Sequence, residues 1–381
     1  MAFQSCGSSG GGTGGSTGGG TASGTWYGQD CVVGDAVNRP NSPGYRTGAN
    51  IVVQHGFSDC SRSYSFGRTG SMIARNFYAD NVLYPTVEWW KTYDEQTAQM
   101  TDIMGRAAPG TGQFVMVGFS NGGILSRRAG ELRPDLVRGV VGVSTPHAGV
   151  PAMRTARAVF DVIFKVPVLG MAASCAIRNH AGCQAGTAVK TILSFFPIGA
   201  DDLVPVSRQM VPRSPYLQSL NGAYEGFRRV SIEQHARQRW VWWRLIKDLN
   251  CAGPEQWCGG RQAVRKLDNA YKDLIAQAVV SGILGFVVPG LHAYTVVAAT
   301  AVAALNAVDH LWDRITSPAD GSDGLVPNAS QAYPAAELHV VINNADSHDA
   351  AKKSVDKTLD RLGQVLARQL GVPPTPQGIY R

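Results

Sequence analysis

Ser120 stands between two glycines at the end of an apolar run, in "FVMVGFSNGG", residues 114–123. A serine hydroxyl is inert until a base takes its proton, an acid orients that base, and N–H donors receive the charge that develops on the attacked carbonyl. The G-x-S-x-G spacing of Gly118, Ser120 and Gly122 is that of a strand turning sharply into a helix. Such a bend presents the hydroxyl at its tip and leaves no space for side chains on either flank. A helix beginning at Asn121 aims its first amide at the place where an oxyanion would form. In a chain with 44 glycines the same letters also arise as an ordinary glycine turn, so the surroundings must decide.

A second oxyanion donor should come from the loop after an earlier strand. "QHGFSD" fits: His55 and Gly56 end an apolar run, Gly56 permits close approach, and the amide of Phe57 is the donor. The base must be one of eight histidines. His348, in "VVINNADSHDA", follows the last apolar run in a polar loop that could reach the bend, and is the expected base. His339 sits inside that run and reads as packed. His147, in "STPHAG", ends another run near the same face and suits a supporting or pocket-wall role. Two carboxylates compete for the acid: Asp323 in "SDGLVPNAS" and Asp202 in "ADDLVPVS". Both satisfy the chain order Ser, Asp, His. Asp323 is favoured because its loop precedes the final strand and so adjoins the loop of His348; Asp202 otherwise reads as a turn or cap carboxylate.

These groups need a scaffold. "NIVVQHG", "NVLYPTVEWW", "FVMVG", "VRGVVGVST", "FRRVSIEQ" and "ELHVVINN" are short apolar runs typical of strands buried on both faces. "YDEQTAQMTDIMGRAA" and "NGGILSRRAGEL" have helical spacing between them. The alternation predicts an α/β fold: a mostly parallel sheet with helices on both faces and its reactive groups beyond the strands' C-terminal ends. Two apolar insertions, Val150 to Ile198 and Trp240 to Val308, interrupt it and read as a lid or cap that walls a pocket. The second ends in a run from Leu274 to Val308 without Asp, Glu, Lys or Arg. Pro289-Gly290 breaks this run, which favours a helical hairpin over a membrane span.

Hydrophobic residues make up 44% of the chain and charged ones 17%, enough for a large core, and the net charge is +7. The basic residues are scattered without a stripe interleaved with aromatics, which argues against nucleic acid. Cysteines fall into three near pairs, Cys31 with Cys60, Cys175 with Cys183 and Cys251 with Cys258, with no zinc-like spacing; disulfides in an oxidising compartment are the expectation. The seventh, Cys6, opens "CGSSGGGTGGSTGGG", a tract too poor in apolar surface to fold. Residues 1–25 are thus expected to be a flexible tether and 26–381 the folded domain. The arrangement resembles a bacterial lipoprotein, lipidated at its first cysteine.

The set "HGF", "GFSNGG", "STPHAG", "SDGLVP" and "NADSHD" resembles bacterial triacylglycerol lipases and related esterases of the α/β-hydrolase fold. "MVPRSPYLQSLN", residues 210–221, also resembles the P-x-S-x-x-L-x-x-L-N stretch of these lipases. The resemblance implies Ser120 as nucleophile, Asp323 as acid, His348 as base, Phe57 and Asn121 as oxyanion amides, and no cofactor in the reaction. It implies an acyl-ester substrate; the apolar insertions favour a lipid-like acyl group, the cysteines and the Cys6 tract a secreted or cell-envelope location, and a lipidated Cys6 or the apolar lid offers a route to membrane association. Two departures stand out. Family members often carry His-Leu-Asp near the base, the Asp helping to bind calcium, whereas Asp349 here follows His348 directly, which leaves calcium open. The insertion before Asp323 is also longer than usual.

Overall fold

The six apolar runs become six strands of one seven-stranded sheet. The structure, a computed structural model, describes residues 23–26, 29–34, 36–38, 50–57, 59–60, 73, 76–107, 112–153, 205–223, 225–236, 240–242, 244–245, 260–284, 291–316, 321–343, 347–348, 358 and 360–374. In chain order these hold β1 (Ser23–Trp26), β2 (Gln29–Val32), β3 (Ala36–Asn38), β4 (Asn50–Gln54), β5 (Asn81–Pro85), α1 (Tyr93–Ala107), β6 (Phe114–Phe119), α2 (Asn121–Leu132) and β7 (Val137–Val143). Then follow α3 (Pro205–Gln209), α4 (Pro215–Gly222), β8 (Arg228–His235), α5 (Gly260–Leu284), α6 (Leu291–Thr316), α7 (Asn328–Gln331), β9 (Leu338–Asn343) and α8 (Asp360–Arg368).

The order across the sheet is β3-β5-β4-β6-β7-β8-β9. Every neighbouring pair is parallel except β3 with β5. From β4 the chain steps outward to β5, then returns past β4 to β6 and proceeds the other way. The C-terminal ends of β4 and β6 therefore flank the point where winding reverses, the place where open parallel sheets leave a crevice. This is the strand order and direction of an α/β-hydrolase fold.

Alternation along the strands divides the core between the two faces. Val52, Met116 and Val140 pack with Met100 and Met104 of α1 and Ile124 and Leu125 of α2. Ile51, Val53, Val115, Val117 and Val141 pack on the other face with Leu362, Val365 and Leu366 of α8. Each large side chain buried in this way contributes about 1.5–3 kcal/mol. A third cluster joins Trp240, Trp242 and Leu245 to Leu267 and Tyr271 of α5 and Leu305 and Trp312 of α6.

The polar stretch from Thr25 to Ala49 contains β2 and β3, and β1 begins at Ser23, inside the segment assigned to the tether. β1 pairs with β2, and β3 is set by pairing with β5. Such short strands are fixed by their partners and leave little signal of their own. The charge-free run does form helices on both sides of Pro289-Gly290, and no described helix is long and apolar enough to cross a membrane. Most of the insertion from Val150 to Ile198 lies outside the described residues, as do residues 1–22 with Cys6. Cys60 is fully buried and disulfide-bonded. The side chains of Cys31, Cys175, Cys183, Cys251 and Cys258 fall outside the described set, and the three expected pairings with them.

Candidate active site

β6 ends at Phe119 and α2 starts at Asn121, so Ser120 takes the whole turn, with φ 53° and ψ −127°. A non-glycine residue at such a positive φ stores strain that its surroundings must hold. They do so by close packing. A Cβ on Gly118 would lie 2.4 Å from the Gly122 oxygen, and one on Gly122 would lie 2.5 Å from the carbonyl oxygens of both Gln54 and His55. The amide of Ser120 donates to Val143 O at 2.8 Å, tying the turn to β7.

His348 and Asp323 meet this serine. His348 Nε2 lies 2.8 Å from Ser120 Oγ and its Nδ1 lies 2.6 Å from Asp323 Oδ2. With Nδ1–H donating to the carboxylate, Nε2 is left bare and accepts the serine proton. Asp323 is fully buried, and its Oδ1 accepts the amides of Leu325 at 3.1 Å and Val326 at 2.8 Å. The turn carrying it is anchored from α6: Trp312 Nε1 donates to Gly324 O at 2.7 Å. It is also bridged to the residue after β8, Ala236 N donating to Ser322 O at 3.0 Å. Three side chains far apart in sequence thus form one hydrogen-bonded line. Asp202 lies outside the described residues, and so does Asp349.

The expected oxyanion loop borders the serine. A Cβ on Gly56 would come within 3.1 Å of Ser120 Cβ and 3.2 Å of Phe119 O, tighter than most side-chain contacts, so glycine eases the close approach of the strand end. His55, fully enclosed, orients the next peptide. Its Nε2 accepts Val87 N–H at 3.2 Å, so Nδ1 carries the proton and donates to Gly56 O at 2.9 Å. In a trans peptide the carbonyl and the following N–H point opposite ways, so holding Gly56 O turns the Phe57 amide away from the imidazole. The Asn121 amide, first in α2, has no acceptor one turn back in its own helix. The Phe57 ring packs edge-on against Trp89 with centroids 4.7 Å apart.

His147 lies behind this line, fully buried. Its Nδ1 accepts from Arg127 Nη1 at 3.1 Å, and its ring stacks on Tyr333 with centroids 4.3 Å apart. Burial, and then the Arg127 guanidinium, hold its pKa well below the usual imidazole value, so it is neutral. Arg127 in turn bonds Glu225 Oε1 at 2.9 Å and Asn221 Oδ1 at 2.7 Å. Asn221 ends the "SPYLQSLN" segment and also donates to His147 O at 2.8 Å. This polar cluster fixes α2, and with it the start of the helix at Ser120, to α4. Sequence reading singled out His147 but not Arg127, Glu225 or Tyr333, since a buried ion pair between distant residues leaves no local pattern. His339, read as packed, is partly exposed and bonds Glu233 Oε1 at 2.9 Å through Nδ1. Among the described residues no group of three His, Cys, Asp or Glu side chains could hold a metal ion.

No protein-family model matches this chain, and no curated protein matches its sequence. Among solved structures it is similar to the Bacillus licheniformis lipase BlEst2 in mature form, at 12% identity and a TM-score of 0.44, covering 84% of this chain and 94% of that one. The propeptide form of the same lipase gives 12% identity and 0.48, covering 90% of this chain and 56% of that one. The metagenomic carboxyl esterase MGS0156 gives 16% and 0.40, covering 82% and 67%. These scores lie below 0.5, and the fold rests on strand order, not on the likenesses.

Proposed function

We propose that this chain is a serine hydrolase that cleaves carboxylic esters of acyl lipids through an acyl-enzyme. One observation carries the reading: the unbroken run from Asp323 Oδ2 to His348 Nδ1 at 2.6 Å and from His348 Nε2 to Ser120 Oγ at 2.8 Å. Ser120 Oγ attacks the ester carbonyl while its proton passes to His348 Nε2. Asp323 keeps its negative charge and stabilises the imidazolium. The carbonyl oxygen becomes an anion received by the amides of Phe57 and Asn121. His348 then protonates the departing alcohol, and water, activated by the same imidazole, releases the acid and frees Ser120. No cofactor takes part in these steps.

The lipid-like acyl group is supported by the apolar character of the two insertions and by the Phe57–Trp89 contact beside the oxyanion loop. A secreted or envelope location is part of the same proposal; the disulfide at Cys60 and the tract after Cys6 favour it, the latter as a lipidated anchor. A series of p-nitrophenyl esters of rising chain length, with emulsified triacylglycerol beside them, tests the substrate class. The proposal expects rates to rise from the short esters to the long ones and turnover of the emulsion. Preference for short soluble or polymeric esters would replace the lipid with a smaller or extended ester. Transfer to an added alcohol in place of water would make the protein an acyltransferase. No turnover of any ester would leave a surface module with a disused site.

A further inference from the structure

Seven large hydrophobic residues are exposed among the described residues, and five of them belong to one end of the α5–α6 hairpin: Ile275, Val279, Val280, Ile283 and Val296. The two helices hold each other through a seam. On α5 the less exposed positions include Val264, Leu267, Tyr271, Leu274, Ala278 and Ser281; on α6 they include Thr295, Ala298, Val302, Leu305 and Trp312. The three-and-four spacing is that of an antiparallel coiled coil. Two cross-links fix its register, Tyr271 Oη to Asn306 Oδ1 at 2.9 Å and Ser281 Oγ to Thr295 Oγ1 at 2.8 Å. At the base the hairpin is built into the domain through Trp240, Trp242 and Leu325.

Charge stops on both helices within about one turn of the Tyr271–Asn306 cross-link. Lys272 and Asp273 are the last charged residues of α5, just beyond it, and Asp309, just short of it, is the first Asp, Glu, Lys or Arg of α6. Beyond that level, Leu274–Leu284 extends α5 by about 16 Å, close to one hydrocarbon leaflet of about 15 Å. On this stretch Ile275, Val279, Val280 and Ile283 span the side of α5 opposite the seam, and exposed Val296, Ala299 and Ala303 do the same for α6. Inside, Ser281 Oγ donates to Gln277 O at 2.5 Å and accepts from Thr295 Oγ1 at 2.8 Å. A helix pair that is apolar on its outer sides, the exposed Gln277 excepted, and along most of its seam suits a hydrocarbon surround. A second copy would leave much of that circumference in water, and the stretch has no charges to set a register between copies.

We infer that the end of this hairpin inserts into one leaflet of a lipid bilayer and docks the enzyme there. The inference deepens the ester-hydrolase reading, because it names the surface on which the substrate would be met. The level where charge resumes then lies at the headgroups. It carries both signs, with Lys272 paired to Asp268 at 2.6 Å, so zwitterionic lipid suffices and salt has little effect.

The test is co-sedimentation with vesicles of diether phosphatidylcholine, whose ether links no esterase can cut, so that docking is read apart from hydrolysis. The wild type should bind, with less than a twofold change between 0.15 and 1 M NaCl. The triple variant Val279→Asp, Val280→Asp, Ile283→Asp should lose at least about tenfold in partitioning, and the milder Ile283→Asp should fall between. Leu132→Asp, at an exposed hydrophobic residue on α2, should bind like the wild type. Thermal unfolding of each variant verifies folding. Wild-type protein left in the supernatant overturns the inference, as does a triple variant that binds equally or a Leu132→Asp variant that binds as poorly as the triple. A wild-type dimer that the triple variant dissolves, without vesicle binding, overturns it in favour of pairing between copies.

Discussion

Replacing His55 with alanine removes two hydrogen bonds that orient one peptide. The Nδ1 donor to Gly56 O at 2.9 Å and the Nε2 acceptor for Val87 N–H at 3.2 Å both disappear, and the Val87 amide is left buried. Two lost bonds at about 1 kcal/mol each, with a cavity in place of a fully enclosed ring, should lower stability by about 2–4 kcal/mol. The larger consequence is catalytic. Without the imidazole the Gly56–Phe57 peptide can rotate and withdraw its N–H, and one missing oxyanion donor costs about 10²–10³ in rate. The loss should appear in kcat with KM nearly unchanged, because the donor acts on charge present only in the transition state. Steady-state kinetics on a soluble p-nitrophenyl ester, well below the unfolding temperature of the variant, measure both constants. Phe57→Ala is the companion, since it keeps the backbone amide and should retain kcat within about fivefold. If His55→Ala keeps kcat within about threefold of wild type, either the Phe57 amide needs no support or it does not receive the oxyanion, and the reasoning fails.

Arg127→Met should cost about 3–5 kcal/mol, because it leaves Glu225 as a lone charge in a buried site; urea denaturation of the single variant and of Arg127→Met with Glu225→Gln should show the double recovering part of the loss. His147 gives stability a pH dependence of known sign. Its folded pKa is depressed, by burial first and Arg127 second, so below about pH 6.5 the unfolded chain takes up a proton that the folded chain refuses. Its contribution is therefore full above the unfolded pKa and declines as pH falls, by up to about 1.4 kcal/mol per pH unit. Unfolding free energies of the wild type and His147→Asn between pH 7 and 5 should differ by that slope. Trp312→Phe removes the indole donor to Gly324 O and should lower kcat about three- to tenfold through a looser Asp323 turn. An unchanged kcat would mean that the Leu325 and Val326 amides hold the acid by themselves.

Much of the sheet was legible because its strands are buried on both faces and bounded by turn residues. Phe114–Phe119 stands out as an unbroken apolar run and Val137–Val143 as one interrupted only by Arg138, and α2 follows the serine without a gap. Ser120 was readable because its strained bend requires glycines at fixed offsets, and His348 and Asp323 because the order of elements leaves few loops that could reach it. The rest depended on contacts between distant residues. β3 is a strand only because β5 lies beside it, and nothing in "AVN" announces that. The proton position on His55 follows from Val87 N–H, a donor on the next strand's loop. Glu225 reads as one more surface carboxylate until α4 brings it to Arg127. Pattern could identify the charge-free hairpin, but not that its outer sides would stand exposed, since this depends on what packs against it.

If Ser120 is a nucleophile activated by His348, the folded protein will react with a fluorophosphonate, read by intact mass and by mapping the modified peptide. One adduct is expected, on Ser120, formed at least about 10³-fold more slowly in His348→Ala. No adduct on the folded wild type, or labelling of Ser120 at the same rate without the imidazole, would contradict it.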